Sequence, residues 1–421
     1  MSGPKYQYLL DRISELEVID AHEHLVPEAT RVKMRIDALS LFSCYTRLSC
    51  LAAGMTMRQW EEIHDQAIPL EKRWEAFEHY LPFIRHAAEV RPGFIAVREF
   101  GGVEEIGAKT IHRISENLAA GNTPGLYDRI LRDKCHIRKG VVVGGEHFEG
   151  GDSHFVYLTP LNWEVLRSLD TREALGKRAA ELGHPVSSLD DLVALVRWMV
   201  EKGAECGNPG IKLFAMPYGP PNRKQAEEVF ARLWNGERFI AQHFAGQVDY
   251  PLLTPLLGFL VDEAVKRAGE LGRVVAVHCG VWGDFRQLNG SHIIPLIGRH
   301  PDVRFDLFHA SLPYVREAGV MGHNFPNVWL NLTWTHLFSP AMTRSFLDEW
   351  MDIVPMNKII GFGADYAFQV EKVYGHLLMA RENIAHVLAG RVAGGLMDAE
   401  EAVAVAKMWL FDNPSQLYGI A

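Results

Sequence analysis

Seven side chains in this sequence are of types that could do chemistry, and each closes a short apolar run. Val18-Ile19-Asp20-Ala21 leads into His22 and His24, and Gly210-Ile211 leads into Lys212. Val274 to Val277 precedes His278, Phe305 to Phe308 precedes His309, Trp329 to Trp334 runs toward His336, and Ile359 to Ala364 precedes Asp365. In extended chain, residues two apart point to the same side, so His22 and His24 form a pincer of two imidazoles. A third imidazole from His278 and the carboxylate of Asp365 would complete a mixed nitrogen and oxygen shell. Such a shell suits zinc, manganese or ferrous iron better than calcium. One H-x-H pair says little in a chain with 19 histidines. The specific feature is that ligand-type residues recur at the ends of successive strand candidates. The alternative is a set of structural histidines satisfied near those ends.

Positioning those residues requires a repeated strand–helix unit. Strand candidates are Glu17 to Asp20, Ile137 to Val143, Phe155 to Thr159, Gly210 to Phe214, Val274 to Val277, Val303 to Phe308, Val328 to Leu332 and Lys358 to Gly363. Several are short and continuously apolar, as expected for parallel strands buried on both faces. Helical patterns fall between them at Leu189 to Glu205, Leu256 to Leu271, Ser291 to Arg299, Tyr314 to Asn324 and Met342 to Met351, and one precedes them at Tyr6 to Leu16. Eight strands alternating with helices read as an α/β fold of the (β/α)₈ TIM-barrel type, with reactive groups at the C-terminal strand ends. About 29–122 is helical in pattern, with Arg58 to Ala88 and Ile106 to Ala120 as its clearest stretches. It reads as an insertion after strand one, within a single barrel domain spanning 1–421.

Composition removes other classes. The chain has 421 residues, 48% hydrophobic and 23% charged, which is ordinary globular usage rather than a disordered one. Its formal net charge is −9 and it has no run of Lys or Arg, which disfavours nucleic acid as a partner. The five cysteines, Cys44, Cys50, Cys135, Cys206 and Cys279, form no C-x-x-C pair, so neither a disulfide framework nor a thiol-rich zinc knuckle is expected. The polar start of the sequence lacks the apolar core of a secretory signal, and no stretch of about 18 apolar residues offers a membrane span. The expectation is a cytoplasmic protein acting on a small molecule, with no membrane partner and self-association into a homo-oligomer left open. Neither G-x-x-x-x-G-K-[ST] nor a strand-borne G-x-G-x-x-G occurs, so phosphate-loop and dinucleotide binding are not expected.

The order H-x-H, Lys, His, His, Asp on strands one, four, five, six and eight resembles the metal-dependent amidohydrolase superfamily. The flanking text VIDAHEHL, AVHCG, LFHASLPYVREAGVMGHNFPNVWLNL, GFGADYAFQVEKVYGHLLMARENIA and DNPSQLYGI resembles its amidohydrolase 2 branch, with uronate isomerase a more distant relative. The resemblance covers about the first 25 residues and Gly210 to the end, and is thin across the helical insertion. It implies that His22, His24, His278 and Asp365 hold one divalent ion, most simply zinc. It implies further that Asp365 takes the proton of a water activated there. Lys212 and His309 match positions that hold a second ion in two-metal members, where the lysine is carboxylated. With one ion, Lys212 would instead meet an anionic substrate and His309 would orient or polarise it.

The activity implied is hydrolysis of an amide, lactone or ester bond of a small polar substrate. Alternatives are a sugar-acid isomerase like uronate isomerase, a metal-dependent non-oxidative decarboxylase, and a silent barrel acting as scaffold. Further pocket candidates are Tyr218, Trp282, Trp334, His336 and His243, for which aromatic or core packing is the alternative. The resemblance also makes Arg98, beside Glu99 in the insertion, a candidate for holding a carboxylate, against the alternative of a solvated helix face. Cys279 is not expected to be a nucleophile. The Met and Trp residues of the insertion read as core.

Overall fold

Short apolar runs bracketed by polar residues become eight parallel strands in a nearly closed barrel, with helices between them. A computed structural model describes residues 3–143, 153–161, 165–239, 241–242, 247–248 and 252–420. The barrel strands are β1 (Val18–Glu23), β2 (Ile137–Val143), β3 (Phe155–Thr159), β4 (Gly210–Phe214), β5 (Val274–His278), β6 (Phe305–Leu307), β7 (Val328–Asn331) and β8 (Ile359–Ile360). They stand in the sheet in chain order. Register places Lys212 opposite Ala276 and Ala276 opposite Asp306, so these three residues share one level of the barrel. A two-stranded antiparallel pair, Ala241–Gln242 with Gln247–Val248, lies in the connection between β4 and β5.

The residues group into two compact units. One comprises Met1–Arg138, Trp334–Leu347 and Phe362–Lys407, the other Lys139–Thr333, Asp348–Gly361 and Met408–Ala421. Within the first, α1 (Pro4–Ser14) precedes β1, and the stretch 29–122 contains helices and no strand. That stretch has its own apolar core, which includes Met55, Trp60, Trp74, Phe77, Ile111 and Leu118, although Met57 is exposed. The expected helical run from Arg58 to Ala88 is divided into Met57–His64, Leu70–Glu78 and Leu81–Ile84. Pro69 accounts for the first break, disfavouring helical geometry at the preceding residue and standing at the N-cap of the next helix, and Pro82 stands in the first turn of the third.

Two buried attachments hold this first unit together. Nη2 of Arg31, fully buried, donates to both Glu371 oxygens at 2.7 and 2.9 Å, while its other nitrogens reach Asn122 and the Phe368 carbonyl at 2.6 Å each. Glu371 lies on α5 (Val370–Ala393), which follows α2 (Arg91–Glu99), α3 (Leu189–Glu205) and α4 (Thr254–Glu270) in the chain. The second attachment joins β1 to the segment after β8. Backbone amides of Ala21, His24 and Val26 donate to the carbonyls of Phe362, Tyr366 and Ala367 at 2.9–3.1 Å, and the Asp365 amide donates to the His22 carbonyl at 3.0 Å. Asp20 Oδ1 accepts from the Ala364 amide at 3.0 Å, and Glu23 Oε2 from the Tyr366 amide at 2.7 Å.

The second unit carries α3 and α4 and the closing helix α6 (Asn413–Tyr418). Ser188 and Asp191 cap α3 reciprocally. From α6, Asn413 Nδ2 donates to the carbonyls of Met356 and Ile359 at 2.8 and 2.7 Å, which anchors the start of β8. Strand β8 is shorter than the apolar run suggests because the Gly361 amide donates to the Trp409 carbonyl (2.8 Å), away from the ladder. Among the described residues no helix is long and apolar enough to cross a membrane.

Replacing Arg31 with Met strands the Glu371 carboxylate without its cation. Equilibrium urea unfolding should show a loss of about 3–5 kcal/mol, and adding Glu371→Leu should recover part of it. A second prediction concerns pH. Burial pushes the Asp20 carboxyl up to about 7 and Glu23 well above the usual carboxylate range. Unfolded carboxyls titrate near about 4. Between about 4 and 7 the folded chain therefore binds more protons than the unfolded one, and stability falls as pH rises through that window. Asp20→Asn should flatten the fall, measured as the difference in unfolding free energy between about pH 5 and about pH 7.5 with a chelator present.

Candidate metal centre

Three of the expected ligands converge in the first unit. The rings of His22 and His24, two residues apart on β1, lie 4.8 Å apart at 79°. Nε2 of each stands 3.4 Å from the same oxygen, Asp365 Oδ1. In a tetrahedral shell with bonds of about 2.1 Å, neighbouring ligand atoms are roughly 3.4 Å apart. The donor set and its spacing therefore fit a divalent metal ion. His22 and Asp365 are buried, and the His24 side chain is 25% exposed.

Asp365 reaches this position through backbone that few side chains adopt, with φ +64°. The β1 ladder and the Asp20 and Glu23 acceptors hold it there, which makes the strain tolerable. The Tyr45 hydroxyl adds a bond to the Asp365 carbonyl. Tyr45 comes from the helical stretch, and its ring packs against Trp334 and Tyr366 at 5.3 and 5.8 Å. Sequence reasoning did not single out Asp20, Glu23 or Tyr45. Acids inside the apolar text VIDAHEHL were an available signal for the first two, whereas nothing local marks Tyr45.

The other three candidates come together in the second unit. His278 Nδ1 lies 3.1 Å from His309 Nε2, and His309 Nδ1 lies 3.3 Å from the Thr333 carbonyl. A carbonyl only accepts, so this contact is a hydrogen bond when His309 is protonated on Nδ1. Lys212 Nζ sits 3.7 Å from the Phe308 ring centroid, a cation–π seat. His309, Ala310 and Ser311 all have left-handed backbone, at φ 61°, 51° and 55°. Gly280, two residues past His278, faces this turn, and a Cβ there would stand 1.9 Å from the Leu312 carbonyl oxygen. Only glycine fits that approach.

The weaker candidates divide. Trp334 is buried in aromatic packing, and His336 is fully buried, 3.4 Å from Asn383 on α5. Tyr218 donates to the Phe214 carbonyl at 2.9 Å. Trp282 is partly exposed in a left-handed turn. Arg98 is exposed on α2 and Glu99 pairs with Lys134, so the solvated-face reading holds for both. Burial pushes the Cys279 thiol up, against a nucleophilic role. His243 lies outside the described residues.

Comparison with known proteins supplies context for this geometry. Over 99% of this chain and 98% of the other, the structure matches uronate isomerase from Thermotoga maritima with TM-score 0.81 and 15% identity. Glucuronate isomerase from Caulobacter crescentus matches with TM-score 0.79 and 19% identity, over 100% and 95% of the two chains. A protein from Lactobacillus casei assigned as a metal-dependent hydrolase matches with TM-score 0.63 and 15% identity, over 98% and 97%. At these identities the likeness concerns the fold. In sequence, protein fluG of Emericella nidulans is 33% identical over 173 residues, which make up 39% of this chain and 20% of that protein. This chain thus matches about a fifth of that relative's length. A family model described as amidohydrolase matches residues 171–420, more than half of the chain, and the protein belongs to the amidohydrolase family.

Proposed function

We propose that the protein is a metal-dependent hydrolase that cleaves an amide, lactone or ester bond of a small polar substrate. Its metal ligands are His22, His24, His278 and Asp365, with one zinc ion as the expected species. The observation that carries this reading is the pair of imidazole Nε2 atoms 3.4 Å from one Asp365 oxygen. A divalent ion held by these residues would supply Lewis acidity and could lower the pKa of water from about 15.7 to near 7. Asp365 would take up a proton from the attacking water and pass it to the leaving group. His309 and Lys212 act on the substrate, aligning its carbonyl and countering the negative charge that develops on it. A second ion would require carboxylation of Lys212, whose amine lies over the Phe308 ring. The setting assumed is cytoplasmic, without nucleic-acid or membrane partners.

A second reading, isomerisation of a sugar acid, is favoured by the full-length likeness to two uronate and glucuronate isomerases. In that case Asp365 shuttles a proton between substrate carbons instead of serving hydrolysis. Elemental analysis tests the shared premise: His22→Ala combined with His24→Ala should reduce bound metal from about one equivalent per chain to background, and an unchanged content would overturn it. A substrate panel of amides, lactones and uronic acids separates the two reactions. Hydrolysis yields two products or a ring-opened acid, while isomerisation conserves mass. Asp365→Asn should lower turnover of whichever substrate responds by about 10²-fold or more.

A further inference from the structure

The segment that delivers Tyr45 to Asp365 is held by residues that follow Asp365 in the chain. Ser43 closes a 3₁₀ turn, Ala38–Phe42, and its hydroxyl donates to the Ser40 carbonyl at 2.7 Å. The same hydroxyl accepts from Gln369 Nε2 at 2.7 Å. Gln369 Oε1 accepts from the Phe368 amide at 3.2 Å, which leaves the side-chain NH₂ for Ser43. The Ser43 carbonyl accepts from Lys372 Nζ at 3.1 Å. Gln369 is the N-cap of α5 and Lys372 lies in its first turn. Cys44 then turns the chain through left-handed backbone, at φ +64°, and Tyr45 follows with its hydroxyl on the Asp365 carbonyl. Ser43, Tyr45, Asp365, Gln369 and Lys372 are all buried. The contacts close a ring, from Asp365 along the chain to Gln369 and Lys372, across to Ser43, on to Tyr45 and back to Asp365.

Lys372 is the costly member of that ring. It is fully buried, its ammonium meets a carbonyl and the Tyr366 ring (5.0 Å to the centroid), and burial pushes its pKa down to about 8. An apolar side chain would fill the same volume without that desolvation. We propose that Gln369 and Lys372 are positioning residues of the metal centre, which fix Ser43 and thereby set Tyr45 against the Asp365 carbonyl. Asp365 has left-handed backbone, which persists only where its surroundings over-determine it, and Tyr45 is one of those surroundings. Order in the segment that carries Tyr45 and order at Asp365 are therefore coupled, so an ion that favours one favours the other. The inference rests on the metal-site reading for this consequence, whereas the bracing itself does not depend on an ion.

The test is a double-mutant cycle on the full chain, with zinc ion as probe. Gln369→Leu removes the donor to the Ser43 hydroxyl, and Tyr45→Phe removes the bond to Asp365. Each alone should raise the zinc dissociation constant about tenfold. The double variant should bind no more weakly than Tyr45→Phe alone, because Gln369 acts through Tyr45. Lys372→Met takes the place of Gln369→Leu if that variant does not fold. Effects that add in the double variant, or an unchanged dissociation constant in every folded single variant, overturn the proposal. Should the parent protein bind no zinc, the metal-site reading fails, and hydrogen exchange in the presence of a chelator decides the bracing. Exchange of the Asp365 amide should then quicken to the same extent in Gln369→Leu, Tyr45→Phe and the double variant, and an unchanged rate overturns it.

Discussion

The structure of this site depends on how β1 is joined to the segment that carries Asp365. Two histidines on one strand supply half a ligand shell, and they acquire a carboxylate only because the chain 344 residues away from Asp20 is stitched to the same strand. The stitch is made of main-chain bonds and of two acids, Asp20 and Glu23, whose oxygens accept backbone amides from Ala364 and Tyr366. Burying two carboxyls is unfavourable, and their raised pKa values express that cost. The amides they satisfy are those flanking Asp365, where a left-handed residue leaves regular pairing. The interaction therefore stores unfavourable electrostatics to hold one carboxylate where two imidazoles can share it.

A comparable economy governs the second cluster. His278 closes β5 and His309 lies beyond β6, whereas Lys212 sits in the middle of β4, short of the strand end that the sequence suggested, with Phe214 paired to His278 and Lys212 in line with Asp306. Left-handed geometry from His309 to Ser311 then makes a tight turn beyond β6. The space for that turn exists because residue 280 has no side chain. Strain of this kind persists only where surrounding structure over-determines it, and it coincides here with residues of catalytic type.

Family membership and fold likeness limit the chemistry without selecting it. Barrels of this class carry many reactions on one framework, because ligands sit at strand ends and substrate selection sits in the loops. The helical stretch with its own core contributes Tyr45 to the neighbourhood of Asp365, so an element with its own packing logic also bears on the site. That coupling explains why the stretch is more than decoration on the barrel, whichever reaction the protein performs.

Much of the architecture was legible in the sequence. Continuous apolar runs such as Val274 to Val277 mark strands buried on both faces, and the boundaries of β2, β3 and β4 follow directly from their patterns. The candidate ligands were legible for the same reason: a charged or imidazole side chain at the end of an apolar run has few structural uses there. The divisions inside the helical stretch were less legible, since Pro69 breaks a pattern whose periodicity continues past it. Local sequence thus determined the strands, their alternation with helices and the identity of the ligand-type residues. Tertiary structure alone decided that Asp20 and Glu23 hold the residues flanking Asp365 and that Tyr45 touches it. Each of these depends on hydrogen-bond direction between residues tens to hundreds of positions apart, and neither periodicity nor local spacing carries that information.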